Sequence, residues 1–143
     1  MIKRIGVRRM KKELQNKLYN DFPKLFAQKD LTIQESCMPW GICTGDGWYN
    51  LIRNLCAEIQ AYVDYSGIEQ VEFSQIKEKF GQLRAYIDNG DEKVYDIIRL
   101  AETLSSEICE SCGMKGYIKS NRGWLTSMCD ECRESRRNRF KED

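Results

Sequence analysis

Histidine is absent from this chain of 143 residues. That removes both the commonest general base and the usual protein ligand of a catalytic zinc ion. No run of about 18 apolar residues occurs either, so the sequence offers no membrane-spanning helix. The opening stretch, Met-Ile-Lys-Arg-Ile-Gly-Val-Arg-Arg, is basic but lacks the apolar centre of a secretory signal. An excess of one charge is missing as well. Lys and Arg number 23 against 22 Asp and Glu, so no overall field gathers nucleic acid. These absences point to a cytoplasmic protein with reduced thiols, and the odd count of seven cysteines argues against a pure disulfide framework.

What charge there is lies unevenly. Residues 1–20 hold seven basic residues and one acid, an arm that suits either phosphate contact or a solvated helix face. Residues 21–128 hold eleven basic and sixteen acidic residues, and residues 129–143 hold five of each.

Cysteine is where the pattern is strongest. Cys109 and Cys112 form one C-x-x-C, Cys129 and Cys132 a second, with sixteen residues between them. Two such knuckles bring four thiolates to one tetrahedral point, the requirement of a structural zinc ion, one per chain. Between them, Tyr117-Ile118-Lys119 and Trp124-Leu125-Thr126 read as strands around the turn Ser120-Asn121-Arg122-Gly123. Glu134–Arg139 then reads as a final helix. Knuckle, hairpin, knuckle and helix look like a treble-clef zinc finger, with a redox dithiol pair as the alternative. Four cysteines close the site, whereas catalytic zinc keeps a position open, so this zinc holds structure together. Cys37, Cys43 and Cys56 are expected to be buried small hydrophobes.

Elsewhere the apolar spacing predicts a basic helix over 8–20, with Met10, Leu14 and Leu18 on one stripe. A stronger helix is expected over 46–64, from an N-cap at Asp46 through Trp48, Leu51, Ile52, Leu55, Ile59, Tyr62 and Val63. Another spans 91–108, with Val94, Ile97, Ile98, Ala101, Leu104 and Ile108 on one face. Residues 71–90 fit two readings. As a helix, Phe73, Ile76 and Phe80 share a face. As a hairpin over 71–88, Gly81-Gln82 forms a type II′ turn that pairs Phe80 with Leu83, Glu78 with Ala85 and Ile76 with Ile87. The hairpin is favoured, because Leu83–Ile87 is strand-like under either reading. It sets Lys77, Lys79, Arg84 and Tyr86 on one face, opposite the apolar one. The sum is an α+β fold. Helices surround a small antiparallel hairpin or sheet in a body of residues 1–108, and a treble-clef-like four-cysteine zinc finger of residues 109–143 packs on it as one rigid unit.

The stretches "ESCMPWGICTGDGWYNLI", "IKEKFGQLRAYI" and "CESCG…GWLTSMCDEC" occur in that order, and together they resemble a family of small phage- and prophage-encoded proteins. The resemblance implies an accessory protein acting in the host cytoplasm; no catalytic residue carries over from it.

Nothing pairs Glu35 or Glu78 with a nucleophile, so a non-enzymatic binding role is expected. "WGICTGDGW" ends at a helix start, where free N–H groups suit an anion; alternatively Asp46 caps its own helix and Trp40 and Trp48 fill core. The candidate ligand set is Trp40, Asp46, Trp48, Lys77, Lys79, Arg84 and Tyr86, which together suit a small cyclic or ADP-ribose-type nucleotide by stacking and phosphate pairing. Sequestering such a signal of host defence is the leading reading. The alternatives are nucleic-acid binding through the finger and basic arm, inhibition of a host defence enzyme by protein contact, and, weakest, nucleotide hydrolysis. A homo-oligomer is also expected.

Overall fold

The computed structural model describes residues 8–141. Lys3 and Arg4 of the basic arm lie outside the described residues, as do the last two residues of the chain. The fold is α+β. Four helices, α1 (Lys12–Asp21), α2 (Tyr49–Ser66), α3 (Glu92–Ser105) and α4 (Asp130–Lys141), accompany two small sheets. The first sheet has the order β1 (Ile42–Cys43), β2 (Glu72–Lys79), β3 (Gln82–Asp88); the second pairs β4 (Tyr117–Asn121) with β5 (Trp124–Met128). Among the described residues no helix is long and apolar enough to cross a membrane.

The helix α2 forms on the stripe its spacing predicts: Leu51, Ile52, Leu55, Cys56, Ile59 and Val63 are all buried. It stops where Gly67 takes the left-handed conformation (φ 73°) and returns its N–H to the Val63 carbonyl. In α3 the Asp91 side chain caps the first turn by accepting from the Val94 N–H, and it also accepts from the Tyr62 hydroxyl. This helix ends three residues short of the expected 108. Ser105 is buried and its hydroxyl accepts the Leu83 N–H, while Leu104, expected on the apolar face, is exposed. The helix α1 starts at Lys12 rather than residue 8, because Met10 is spent in an extended link whose N–H donates to the Ile42 carbonyl.

Residues 72–88 form the hairpin, not the helix. Its register differs from the expected one by two positions: Lys79 pairs with Gln82, Glu78 with Leu83, Lys77 with Arg84 and Ile76 with Ala85. The two turn residues are therefore Phe80 (φ 53°) and Gly81 (φ 81°), the double positive φ of a type I′ turn. Such a turn twists with its strands, which outweighs the cost of a bulky residue at positive φ. Phe80 leaves the apolar face as a result and is 66% exposed. Glu78 Oε2 braces the turn by accepting the Gly81 N–H at 2.9 Å. A shift of two preserves the alternation of faces. Ile76, Leu83 and Ala85 face the core and Lys77, Lys79, Arg84 and Tyr86 the other side, as the pattern demands.

Both edges of this sheet are closed by side chains. On β3 the outward N–H groups of Leu83 and Ala85 go to Ser105 Oγ (2.9 Å) and Glu102 Oε2 (3.3 Å) of α3. On β1 the Ile42 N–H goes to Gln15 Oε1 of α1 at 3.0 Å, and Gln15 Nε2 donates to the Met10 carbonyl. Donors taken up in this way are not offered to an added strand.

Of the three cysteines outside the knuckles, only Cys56 is buried as expected; Cys43 is half-buried and Cys37 is exposed. Burial pushes the Cys56 thiol well above its ordinary value. Iodoacetamide should therefore alkylate Cys37 in the native protein and reach Cys56 only after denaturation, as peptide mass mapping would read. Native alkylation of Cys56 would contradict this core.

Candidate functional site

The four knuckle cysteines converge. Their Sγ atoms all lie within 4.8 Å of one another, and Cys112 and Cys129 Sγ are 3.7 Å apart. A tetrahedron with metal–sulfur bonds of about 2.3 Å has edges of about 3.8 Å, so the set fits a tetrahedral metal ion. Each knuckle turns a backbone N–H onto its own first sulfur: Cys112 N–H to Cys109 Sγ (3.5 Å) and Cys132 N–H to Cys129 Sγ (3.4 Å). Gly113 makes the first turn possible at φ 84°, its N–H donating to the Cys109 carbonyl. Burial works to raise the Cys109 thiol, but N–H donors from Cys112, Cys129 and Ser111 outweigh it and hold the group at about 7. Burial and the neighbouring thiols push Cys132 up to about 12. The four thiols act on one another, and a cation is what allows all of them to ionise together.

The hairpin β4–β5 pairs Tyr117 with Met128, Lys119 with Thr126 and Asn121 with Trp124, around a second double-positive turn at Arg122-Gly123. Arg133 of α4 clamps its base, donating to Thr126 Oγ1, Thr126 O and Tyr117 O with its guanidinium 4.7 Å above the Tyr117 ring.

The knuckle is seated on the loop that leads into α2, and the fit is backbone against backbone. Gly47 donates its N–H to the Glu110 carbonyl and Gly45 donates to the Glu110 carboxylate, each at 2.8 Å. A Cβ at Gly45 would lie 2.3 Å from the Glu110 carbonyl oxygen, and one at Gly47 would lie 2.2 Å from that of Cys109. Only glycine allows this approach. Burial raises the Glu110 carboxyl and the Gly45 N–H counters it. Trp48 is fully buried, and its indole N–H donates to the Ile108 carbonyl at 2.9 Å. Ser127, also fully buried, points its hydroxyl at the carbonyls of Ser105, Ser106 and Ile108.

Two of the expected ligand residues are thereby corrected. Trp48 presents no stacking face to solvent; it is core. Asp46 does not cap α2. The helix is preceded by a 3-10 turn over Asp46–Trp48, and the Asp46 carboxylate accepts the Lys11 N–H at 2.8 Å and pairs with Lys11 Nζ at 3.8 Å. The loop N–H groups that an anion would have used are taken by Glu110 of the chain itself. Trp40 is 39% exposed, with the Arg9 guanidinium 5.6 Å from its ring. It lies two residues before β1, whose Cys43 pairs with Lys77 in parallel register.

The other four stand together. Lys77 and Arg84 are cross-strand partners, Lys79 follows on β2, and Tyr86 follows on β3 opposite Gln75, all on the face turned from the core. Lys79 and Tyr86 are exposed, Lys77 and Arg84 half-buried. Arg84 is held by Gln82 Oε1 at 2.9 Å and by the Leu83 carbonyl. This face is flat. A cavity of about 160 Å³ lies elsewhere, lined by Asp21, Phe22, Pro23, Lys24, Gln60 and Asp64.

Sequence reasoning missed Glu110, Gly45 and Gly47 as a unit. The signal was present as a glycine pair and a lone acid inside a knuckle, but their meeting spans 65 residues. No protein-family model, curated protein or solved structure matches this chain.

Proposed function

We propose that this protein is a non-enzymatic nucleic-acid-binding protein, whose finger is organised by one zinc ion on Cys109, Cys112, Cys129 and Cys132 and whose sheet face takes the phosphate backbone. The observation that carries the reading is the set Lys77, Lys79, Arg84 and Tyr86 on one open face. A soft all-sulfur donor set favours zinc, and four protein ligands leave no position for water or substrate.

Shape favours a strand over a single nucleotide. A sequestered small ligand has most of its surface buried in a concave site. Among the described residues, Trp48 and Asp46 are committed to the fold and give these cations no second wall. An open cationic face with an aromatic ring suits a polyanion lying across it. Nucleotide sequestration stays as the second reading, because Tyr86 beside the Lys77–Arg84 pair suits one base and one phosphate. The phage-family resemblance would place either role in the cytoplasm of an infected host.

Fluorescence anisotropy with labelled single-stranded DNA and RNA at several salt concentrations tests this. Three phosphate contacts predict a slope of log K against log salt of about −2. Lys77→Ala with Arg84→Ala should weaken binding about tenfold or more, since one charge-assisted contact contributes about 1.5 kcal/mol. Binding that ignores both substitutions would remove the face from the site. A mononucleotide retained through native mass spectrometry, with no oligonucleotide binding, would select the second reading.

A further inference from the structure

We infer that the β4–β5 hairpin of the finger is a second contact surface for single-stranded nucleic acid, prolonging the sheet face; this rests on the nucleic-acid reading above. Its first support is composition. Residues 111–129 hold Lys115, Lys119 and Arg122 and neither Asp nor Glu, although the chain as a whole is balanced in charge. The nearest acid on this face is Asp130, which accepts the Tyr117 hydroxyl at the hairpin's base, so the cations of the run lie toward its tip.

The second support is exposure. Every residue of β4 is exposed. Trp124 is 54% exposed at the mouth of the turn, and Met114 and Tyr117 are exposed too. Register puts Lys119, Asn121 and Trp124 on one face with Tyr117, Thr126 and Met128. The helix α4 covers only the base of that face, through Arg133 on Tyr117 and Thr126 and Arg136 on the Met128 sulfur. Beyond it stand a cation, an amide and an indole. That combination meets a phosphate, a base edge and a base face. An exposed indole stacks on an unpaired base, whereas a duplex hides its base faces, and an acidic peptide would use the cations but not the ring.

The third support is position. The β2–β3 turn rests on the finger: the side-chain position of Gly81 lies 3.4 Å from Ile118 Cγ1 and from the Thr126 backbone. The strand carrying Lys77 and Lys79 therefore ends against the Ile118 side of the hairpin, with Lys119 and Trp124 on its other side, so a polyanion that follows both crosses the hairpin's edge.

The test uses the full metal-loaded chain and oligonucleotides of about 4 and about 12 residues, a span typical of single-strand sites. Wild type should bind the longer one more tightly. Trp124→Ala should erase most of that length advantage, roughly tenfold, without lowering the melting temperature, and Trp124→Phe should restore it. Lys119→Ala with Arg122→Ala should act likewise and flatten the salt slope. If these variants bind the longer strand as wild type does while Lys77→Ala with Arg84→Ala does not, the finger surface is overturned and the sheet reading stands. If wild type binds no oligonucleotide, both fall. Duplex bound as tightly as single strand, or equal competition by polyglutamate, would also overturn the finger surface.

Discussion

Withdrawing the metal should unsettle more of the protein than the finger that holds it. Apparent zinc-binding energies of small four-ligand peptides are about 10–16 kcal/mol at neutral pH. A domain's whole stability is about 5–15 kcal/mol. The chain freed of metal should therefore lose ordered structure over residues 109–132. The loss should also spread to the loop before α2, whose Gly45, Gly47 and Trp48 donors all end on residues 108–110. Hydrogen exchange should speed up in both segments after chelation under reducing conditions, and elemental analysis should count one zinc per chain beforehand. Cys112→Ser is the sharper variant, because Cys112 is exposed and its loss removes no core packing. Acid should have the same effect as a chelator. Metal-bound thiolates have depressed proton affinity, so their contribution is present at neutral pH and is lost as pH falls. Protection of residues 109–132 that survives both chelation and Cys112→Ser would sink the proposed metal role.

Gly47→Ala should be among the most damaging single-methyl additions available in this chain. The new Cβ would sit 2.2 Å from the Cys109 carbonyl oxygen, 2.6 Å from the Gly113 nitrogen and 2.7 Å from the Glu110 carbonyl carbon. All three are backbone atoms, so no side chain can rotate away. Relief requires lifting the first knuckle off the α2 loop and breaking the two Glu110 contacts with it. A cost of about 3 kcal/mol or more is expected, the upper end for overpacking. Urea denaturation of the metal-loaded protein should read it, together with weaker metal retention in a chelator competition. Gly67→Ala is the contrasting variant. Nothing lies within 4 Å of its side-chain position, and only the left-handed φ of 73° penalises it, by about 1 kcal/mol. Equal effects of the two substitutions would show that the close approach is not a constraint.

How much of this was legible in the sequence varies with range. The stripes of α2 and α3 were legible because helical periodicity is local; the buried residues of α2 fall where it puts them, and in α3 Val94, Ile98 and Ala101 do while Leu104 does not. The convergence of Cys109, Cys112, Cys129 and Cys132 was legible because two short knuckles around a hairpin can close in few ways. The shared face of Lys77, Lys79, Arg84 and Tyr86 was legible because alternation survives a register error of two residues. The register itself was not, since it turned on whether Phe80 or Gln82 would join Gly81 in the turn. Local preference for glycine at the first turn position did not hold: the turn puts Phe80 and Gly81 at two positive φ values and is braced by Glu78.

Side-chain fates set by distant partners were beyond any local pattern. Asp46 reads locally as a cap, yet it is the partner of Lys11, 35 residues away. Trp48 reads as a stacking surface, yet it is drawn inside by the Ile108 carbonyl, 60 residues on. Gly45 and Gly47 read as an anion loop, and Glu110 takes both N–H groups, Gly45's with its carboxylate and Gly47's with its backbone carbonyl. Local residue types and spacing determined the main helices, the finger hairpin and which cysteines meet. Which donors and acceptors remain for a partner was decided only by tertiary structure, because each buried N–H takes whichever acceptor the folded chain brings within reach.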